Sequence, residues 1–254
     1  MMGGNDQQAY DRGTSLFSPD GRIYQVEYAR EAVSRGAPSV GVRTADGVVF
    51  VAMSRASSTL MEAESIEKLH KLDDHLGTAS AGHVADARQL IDLARRQSQG
   101  NRLRYGEAVG VETLTKFVTD HIQENTQRGG TRPYGAALLI GGIDNGEPRL
   151  FAADPSGTPN EWKATVIGGG RQDIQGHLED EWSDDLSLED GIELAVAALA
   201  AHDDEFEPSD LAVATVTEAD GYRTVPLAEV ETAFEAAGLD ADDEDADDES
   251  DADE

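Results

Sequence analysis

The sequence predicts an α+β domain in which sheets are layered between helices. Two observations carry this. Short apolar runs rich in β-branched residues flank Asp-Gly turns, as hairpins do, and longer segments with apolar residues three and four apart occur in pairs. Their order is strands, two helices, strands, two helices, strands, which gathers antiparallel sheets between helical layers.

The chain opens with a polar lead-in and the turn Ser18-Pro19-Asp20-Gly21, where Pro fixes φ and Gly accepts positive φ. A helix follows from Arg22 to Arg35, with Ile23, Val26, Ala29 and Val33 on one stripe, and Gly36 and Pro38 stop it. Ser39 to Thr44 and Val48 to Ala52 flank Ala45-Asp46-Gly47 as a hairpin, and Lys68 to Leu72 and Leu76 to Ala81 form a second strand pair. Gly82 opens a long helix that fades at Gly100-Asn101, and a second helix covers Val111 to Thr126. Tyr134 to Ile140, Arg149 to Ala153 and Thr158 to Ile167 read as strands. Helices Gln172 to Trp182 and Leu188 to His202 come next, then a hairpin from Leu211 to Thr217 and Tyr222 to Val225, and a short helix from Leu227 to Ala237. This divides the chain into a flexible segment 1–12, a domain 13–237, and an acidic tail 238–254 with too few apolar residues to fold.

The 254 residues carry a net charge of -31, and the last fifteen contribute 11 acidic side chains and no basic one, which leaves -20 on the rest. The acidity is therefore global. Only four of the 20 basic residues are Lys (68, 71, 116 and 163). An acidic, Lys-poor surface stays hydrated in concentrated salt, where repulsion is screened within a few Å. No basic stripe exists for phosphates, so nucleic acid is disfavoured. The absence of Cys removes disulfide and thiolate chemistry. No run reaches the ~18 apolar residues of a membrane span, and the first residues lack the charge and apolar core of a signal peptide. The expectation is a cytoplasmic protein. The six histidines show no ligand spacing, so no metal and no cofactor are expected. Gly168-Gly169-Gly170 before a helix has the form of a phosphate cradle, but without the Lys-Ser/Thr of a P-loop it reads as a plain turn.

Read from pattern alone, Arg22 to Arg35 is an amphipathic helix closing its own core. Tyr10-Asp11, Phe17 to Arg22, Tyr24 to Ala29, Glu31-Ala32-Val33 and Gly36 together, however, resemble the amino-terminal signature of archaeal proteasome α-type subunits. Ser65-Ile66-Glu67-Lys68, Gly82 to Arg88, Arg132-Pro133-Tyr134-Gly135, Asp154 to Gly157 and Trp162-Lys163-Ala164 extend the likeness from about Ala9 to Ala237. The resemblance implies the four-layer αββα sandwich of the Ntn-hydrolase fold with an extra N-terminal helix. It implies a non-catalytic member of a seven-membered α ring, partnered by β-type subunits that hydrolyse unfolded proteins and by a regulatory AAA ATPase activator.

It also implies site residues. Tyr10, Asp11, Pro19 and Tyr28 match the cluster that holds the substrate gate open. Lys68 matches the base of the pocket that receives the activator's C-terminal carboxylate, with Gly36 and Glu27 beside it. A Lys retained where Arg is favoured marks a point charge; the plain alternative is a strand Lys paired with Glu67 or Asp73. Arg128, Gly129 and Gly130 stand where the family builds its pore constriction around a Tyr-Gly-Gly. Asp86 and Arg88 match a helix that packs between rings, against the alternative of an intrahelical salt bridge.

The different-class alternative is a self-processed threonine peptidase with Thr14 as nucleophile and a freed α-amine as base. Gly-Thr also occurs at 77-78, 130-131 and 157-158, and Met53-Ser54-Arg55 lacks the Lys that active subunits place there. A third reading is an acidic scaffold without a proteolytic partner, its tail open to modification at Ser250.

Overall fold

The computed structural model describes residues 24–56, 58, 60–62, 65–127 and 132–239. Tyr10, Asp11, Thr14, Pro19, Arg128, Gly129, Gly130 and Ser250 lie outside them. In chain order the described elements are α1 (Tyr24–Ser34), β1 (Ser39–Arg43), β2 (Gly47–Met53), β3 (Leu69–Asp73), β4 (Leu76–Gly82), α2 (Val84–Tyr105) and α3 (Val111–Gln127). Then follow β5 (Ala136–Asp144), β6 (Glu147–Ala153), β7 (Pro159–Glu161), β8 (Ala164–Ile167), α4 (Arg171–Glu181), α5 (Leu188–Ala200), β9 (Leu211–Thr217), β10 (Gly221–Thr224) and α6 (Leu227–Ala236).

Two antiparallel five-stranded sheets, ordered β10-β9-β2-β1-β8 and β3-β4-β5-β6-β7, stack face to face. β2 shows why. All seven of its residues, Gly-Val-Val-Phe-Val-Ala-Met, are buried. Because side chains alternate along a strand, Val49, Val51 and Met53 enter the core under α4 and α5, while Val48 and Phe50 enter the layer between the sheets. The other sheet repeats the scheme: Leu138 and Ile140 face α2 and α3, and Leu139 faces the neighbouring sheet. A strand covered on both sides reads as a continuous apolar run, and the result is helices, sheet, sheet, helices.

Two expectations are corrected. Helix α2 does not fade at Gly100; it runs to Tyr105 and ends on Gly106, whose φ of 74° is left-handed and whose N–H donates to the Arg102 carbonyl at 2.9 Å. One helical Gly costs about 1 kcal/mol, less than a turn of tertiary contact returns: Ser98 Oγ donates to Asp73 at 2.5 Å and Arg102 pairs with the same carboxylate at 3.1 Å. The run Thr158 to Ile167 is not one strand. Trp162 N–H donates to Leu150 in one sheet at 2.9 Å, while the Lys163 carbonyl accepts from Arg43 in the other at 2.7 Å, so the chain changes sheets between them.

Candidate docking and gating site

The site is built where α1 ends. Val26, Ala29 and Val33 are the buried face of α1, which packs on β4 and β5. Arg30 fastens its outer face, donating to Asp154 through Nε at 3.1 Å and Nη2 at 2.9 Å and to Glu27 at 3.0 Å. Tyr28 is 49% exposed and stacks on Tyr24 with ring centroids 6.4 Å apart.

At Gly36 the chain leaves the helix through a space that no side chain fits. A Cβ on Gly36 would lie 2.6 Å from the Gly82 nitrogen. Its N–H donates to Val33 at 2.9 Å and its carbonyl accepts from Gly169 at 2.8 Å. The triple glycine is explained by the same turn. Gly168 has a φ of +104°, and a Cβ there would stand 2.8 Å from the Ala37 carbonyl. The turn expected at Gly168-Gly169-Gly170 is present, and its Gly169 amide is engaged by protein.

Lys68 closes the arrangement. Its Nζ donates to the carbonyls of Ala37 at 2.6 Å, Pro38 at 3.1 Å and Met53 at 3.0 Å. These three acceptors bridge the exit of α1 to the end of β2. The alternative pairings do not form: Glu67 faces His70 at 4.0 Å and Asp73 is taken by Arg102 and Ser98. Among the described residues no carboxylate lies within ion-pair distance of Nζ. Burial without a counter-anion pushes the ammonium down to about 7. The three carbonyls pull the other way, because only a protonated amine has three hydrogens to give them. The structure therefore brings Lys68 and Gly36 together, and leaves Glu27 engaged with Arg30 on the outer face of α1.

At the start of α2, Asp86 and Arg88 part company. Arg88 is exposed, whereas Asp86 is only 2% exposed. The Asp86 carboxylate accepts from both terminal nitrogens of Arg132, at 2.5 and 2.6 Å, and from the Gly135 amide at 2.8 Å. Burial pushes this carboxylate up, but Arg132 and the Gly135 amide outweigh it and hold it below the ordinary carboxylate range. No Asp86–Arg88 ion pair forms among the described residues. Sequence reasoning missed the Arg132 partner, although both residues lay in motifs already singled out. The carbonyls under Lys68 had no side-chain signal at all.

Fold and site together define a layered α+β sandwich with a helix packed on β4 and β5 and a half-buried cation at that helix's exit. A family model described as "Proteasome subunit" matches residues 33–216, and a model for the N-terminal signature of A-type proteasome subunits matches 10–32. The chain belongs to the proteasome subunit family. It is of the α type: it is 67% identical over 243 residues to the alpha 2 proteasome subunit of Haloferax volcanii, covering 96% of each chain. It is 60% identical over 252 residues to the alpha 1 proteasome subunit of Haloarcula marismortui, covering 98% of this chain and 97% of the relative. Against the alpha proteasome subunit of Halobacterium salinarum the identity is 66% over 199 residues, covering 78% and 79%. These salt-loving relatives agree with the acidic, Lys-poor composition. No helix among the described residues is long and apolar enough to cross a membrane.

Proposed function

We propose that this chain is a non-catalytic structural and gating component of the particle. It builds a seven-membered outer ring, admits unfolded proteins to β-type subunits that hydrolyse them, and receives the C-terminal carboxylate of a regulatory AAA ATPase at Lys68, all in the cytoplasm. The observation that supports this best is Lys68 itself: a largely buried ammonium held by three carbonyls, with no carboxylate partner among the described residues. Leaving a buried charge without an opposite charge is costly, and an arriving carboxylate supplies one. Gly36 and Glu27 border the approach, Tyr28 acts with Tyr10, Asp11 and Pro19 at the gate, Arg128 to Gly130 form the constriction, and Arg88 reaches a neighbouring ring or subunit.

The test is a peptidase assay in molar salt. The chain alone is expected to be inactive against a fluorogenic peptide, and a mixture with the organism's β-type subunit to be active. Lys68→Ala is expected to keep that activity and ring assembly but to lose stimulation by the activator. Hydrolysis by the chain alone would overturn the reading and make Thr14 the residue to mutate. Undiminished stimulation of Lys68→Ala would remove Lys68 from the docking site.

A further inference from the structure

Helix α2 is a basic element in an acidic chain. The sequence sets 51 acidic against 20 basic side chains, yet Val84–Tyr105 carries five Arg and only two Asp. Those two acids leave the outer face uncompensated, because Asp86 is buried against Arg132 and Asp92 pairs with Arg95 at 3.8 Å. Arg102 reaches back to Asp73 at 3.1 Å. Arg88, Arg96 and Arg104 are exposed, and among the described residues no carboxylate lies within ion-pair distance of them. Only Lys68 and Arg171 share that condition; every other described Lys or Arg has an acidic partner. At 100° per residue, Arg88, Gln99, Leu103 and Arg96 fall within about 80° of one another, a single outward stripe, and Leu103 is 89% exposed.

We propose that the acidic segment Asp240 to Glu254 of the same chain occupies this basic face of α2. Charge is the first argument: 11 of its 15 residues are acidic and none is basic, which complements the three unpaired Arg. Its starting place is the second. Leu239 packs on the core under α4 and α5, and its N–H donates to Phe234 at 3.2 Å, so the segment departs from the end of α6. Helix α6 is tied to edge strand β10, where Arg223 pairs with Glu229 at 2.8 Å. That strand meets the turn between β3 and β4, because the Tyr222 N–H donates to the Asp74 carbonyl at 2.7 Å. Helix α2 packs on β3, the edge of the other sheet. The path from α6 to α2 therefore runs around one edge of the sandwich. With about 10 Å between layers the two helix layers stand roughly 30 Å apart, and fifteen extended residues span up to about 50 Å. The distance is covered with about six residues to spare, and Glu249, Asp251, Asp253 and Glu254 are among them. Single exposed ion pairs are weak and salt screens them, but a tethered segment meets its site at high effective concentration. In the free chain the segment covers the face at which Arg88 meets a neighbouring ring or subunit; that consequence rests on the function proposed above, and the docking of the segment does not.

The chain contains no Cys, so two can be introduced without background. Full-length chain carrying Ser250→Cys and Gln99→Cys is treated with a short bismaleimide in molar KCl, and the rate of intrachain cross-linking is followed. The rate is expected to fall about tenfold when Arg88, Arg96 and Arg104 are all replaced by Gln, and to return when the same three are replaced by Lys. An unchanged rate in the Gln variant would overturn the proposal. A loss that Lys does not restore would overturn it too, since charge would then not be the cause. Cross-links that form only between chains, on mixing singly substituted Ser250→Cys and Gln99→Cys proteins, would overturn placement on the same chain. Adding the β-type subunit separates this inference from the functional reading. Cross-linking that ceases on assembly is expected if both claim one face, and cross-linking that persists would overturn the contact assigned to Arg88 while leaving the segment in place.

Discussion

Lys68, half-buried, and Asp86, fully buried, are two charges close to α1, and they are completed in opposite ways. Asp86 has a full counter-charge in Arg132 and an amide in Gly135. Lys68 has only the dipoles of three carbonyls. A carboxylate whose partners are all within the chain is structural, because nothing from outside improves its surroundings. A cation held by dipoles alone is stable enough to persist yet still gains from an anion, which is what a docking site requires. On the docking reading, removing Asp86 breaks a completed pairing, whereas removing Lys68 takes away the group that the arriving carboxylate would meet.

The largest effect expected from this comparison is functional. Lys68→Ala should abolish activator stimulation, whereas Asp86→Asn should leave it within about twofold, since no ligand is asked to reach Asp86; stimulated peptide hydrolysis by assembled particles measures both. Gly36, which the Lys68 turn shares with Gly82, comes next. Gly36→Ala forces a Cβ to 2.6 Å from the Gly82 nitrogen, a backbone clash that should lower stability by about 1–3 kcal/mol in denaturant unfolding. Asp86→Ala should cost about 1–2 kcal/mol, because it strands the buried Gly135 amide while the 62% exposed Arg132 returns to water. If Asp86→Ala also abolished stimulation, the contrast between the two charges would fail.

The pH dependence sharpens the same contrast. The Asp86 carboxyl is held below its unfolded value, so its contribution is present above the ordinary carboxylate range and is lost as pH falls through the folded value. Lys68 titrates near 7 folded but about 10.4 unfolded. Between those values the unfolded chain binds the extra proton, so stability rises with pH across that window and the penalty of burying the ammonium is fullest below it. Thermal unfolding against pH should show the alkaline rise vanish in Lys68→Met and the acid fall weaken in Asp86→Asn. The smallest effect belongs to exposed Arg88, whose replacement by Ala should change the isolated chain's stability by no more than about 0.5 kcal/mol and act on assembly alone.

Much of the fold was legible because its elements obey strict periods. The Asp-Gly hairpin from Ser39 to Ala52 and the paired helices near Gln172 and Leu188 appear within a residue or two of their expected places. The failures have particular causes. Gly100 looked like a stop, but tertiary contacts of Ser98 and Arg102 carry α2 past it. Thr158 to Ile167 has one continuous strand-like composition, and composition does not record a change of sheet. Lys68 stood out through its rarity and the family motif around it, and Gly36 through its place at a helix end, and the structure brings the two to the same turn. The Asp86–Arg132 pair spans 46 residues, a separation no local pattern encodes. The backbone oxygens of Ala37, Pro38 and Met53 carry no identity in the sequence at all.

The central claim is that Lys68 is an unfinished charge awaiting a carboxylate. Calorimetric titration of assembled rings with the activator-derived peptide, as free acid and as amide, tests it most directly. The account predicts that the wild type binds the acid about tenfold or more tightly than the amide, in line with a charge-assisted contact of roughly 1.5–3 kcal/mol, and that Lys68→Met binds the two forms alike. A preference for the acid that survives in Lys68→Met would contradict it.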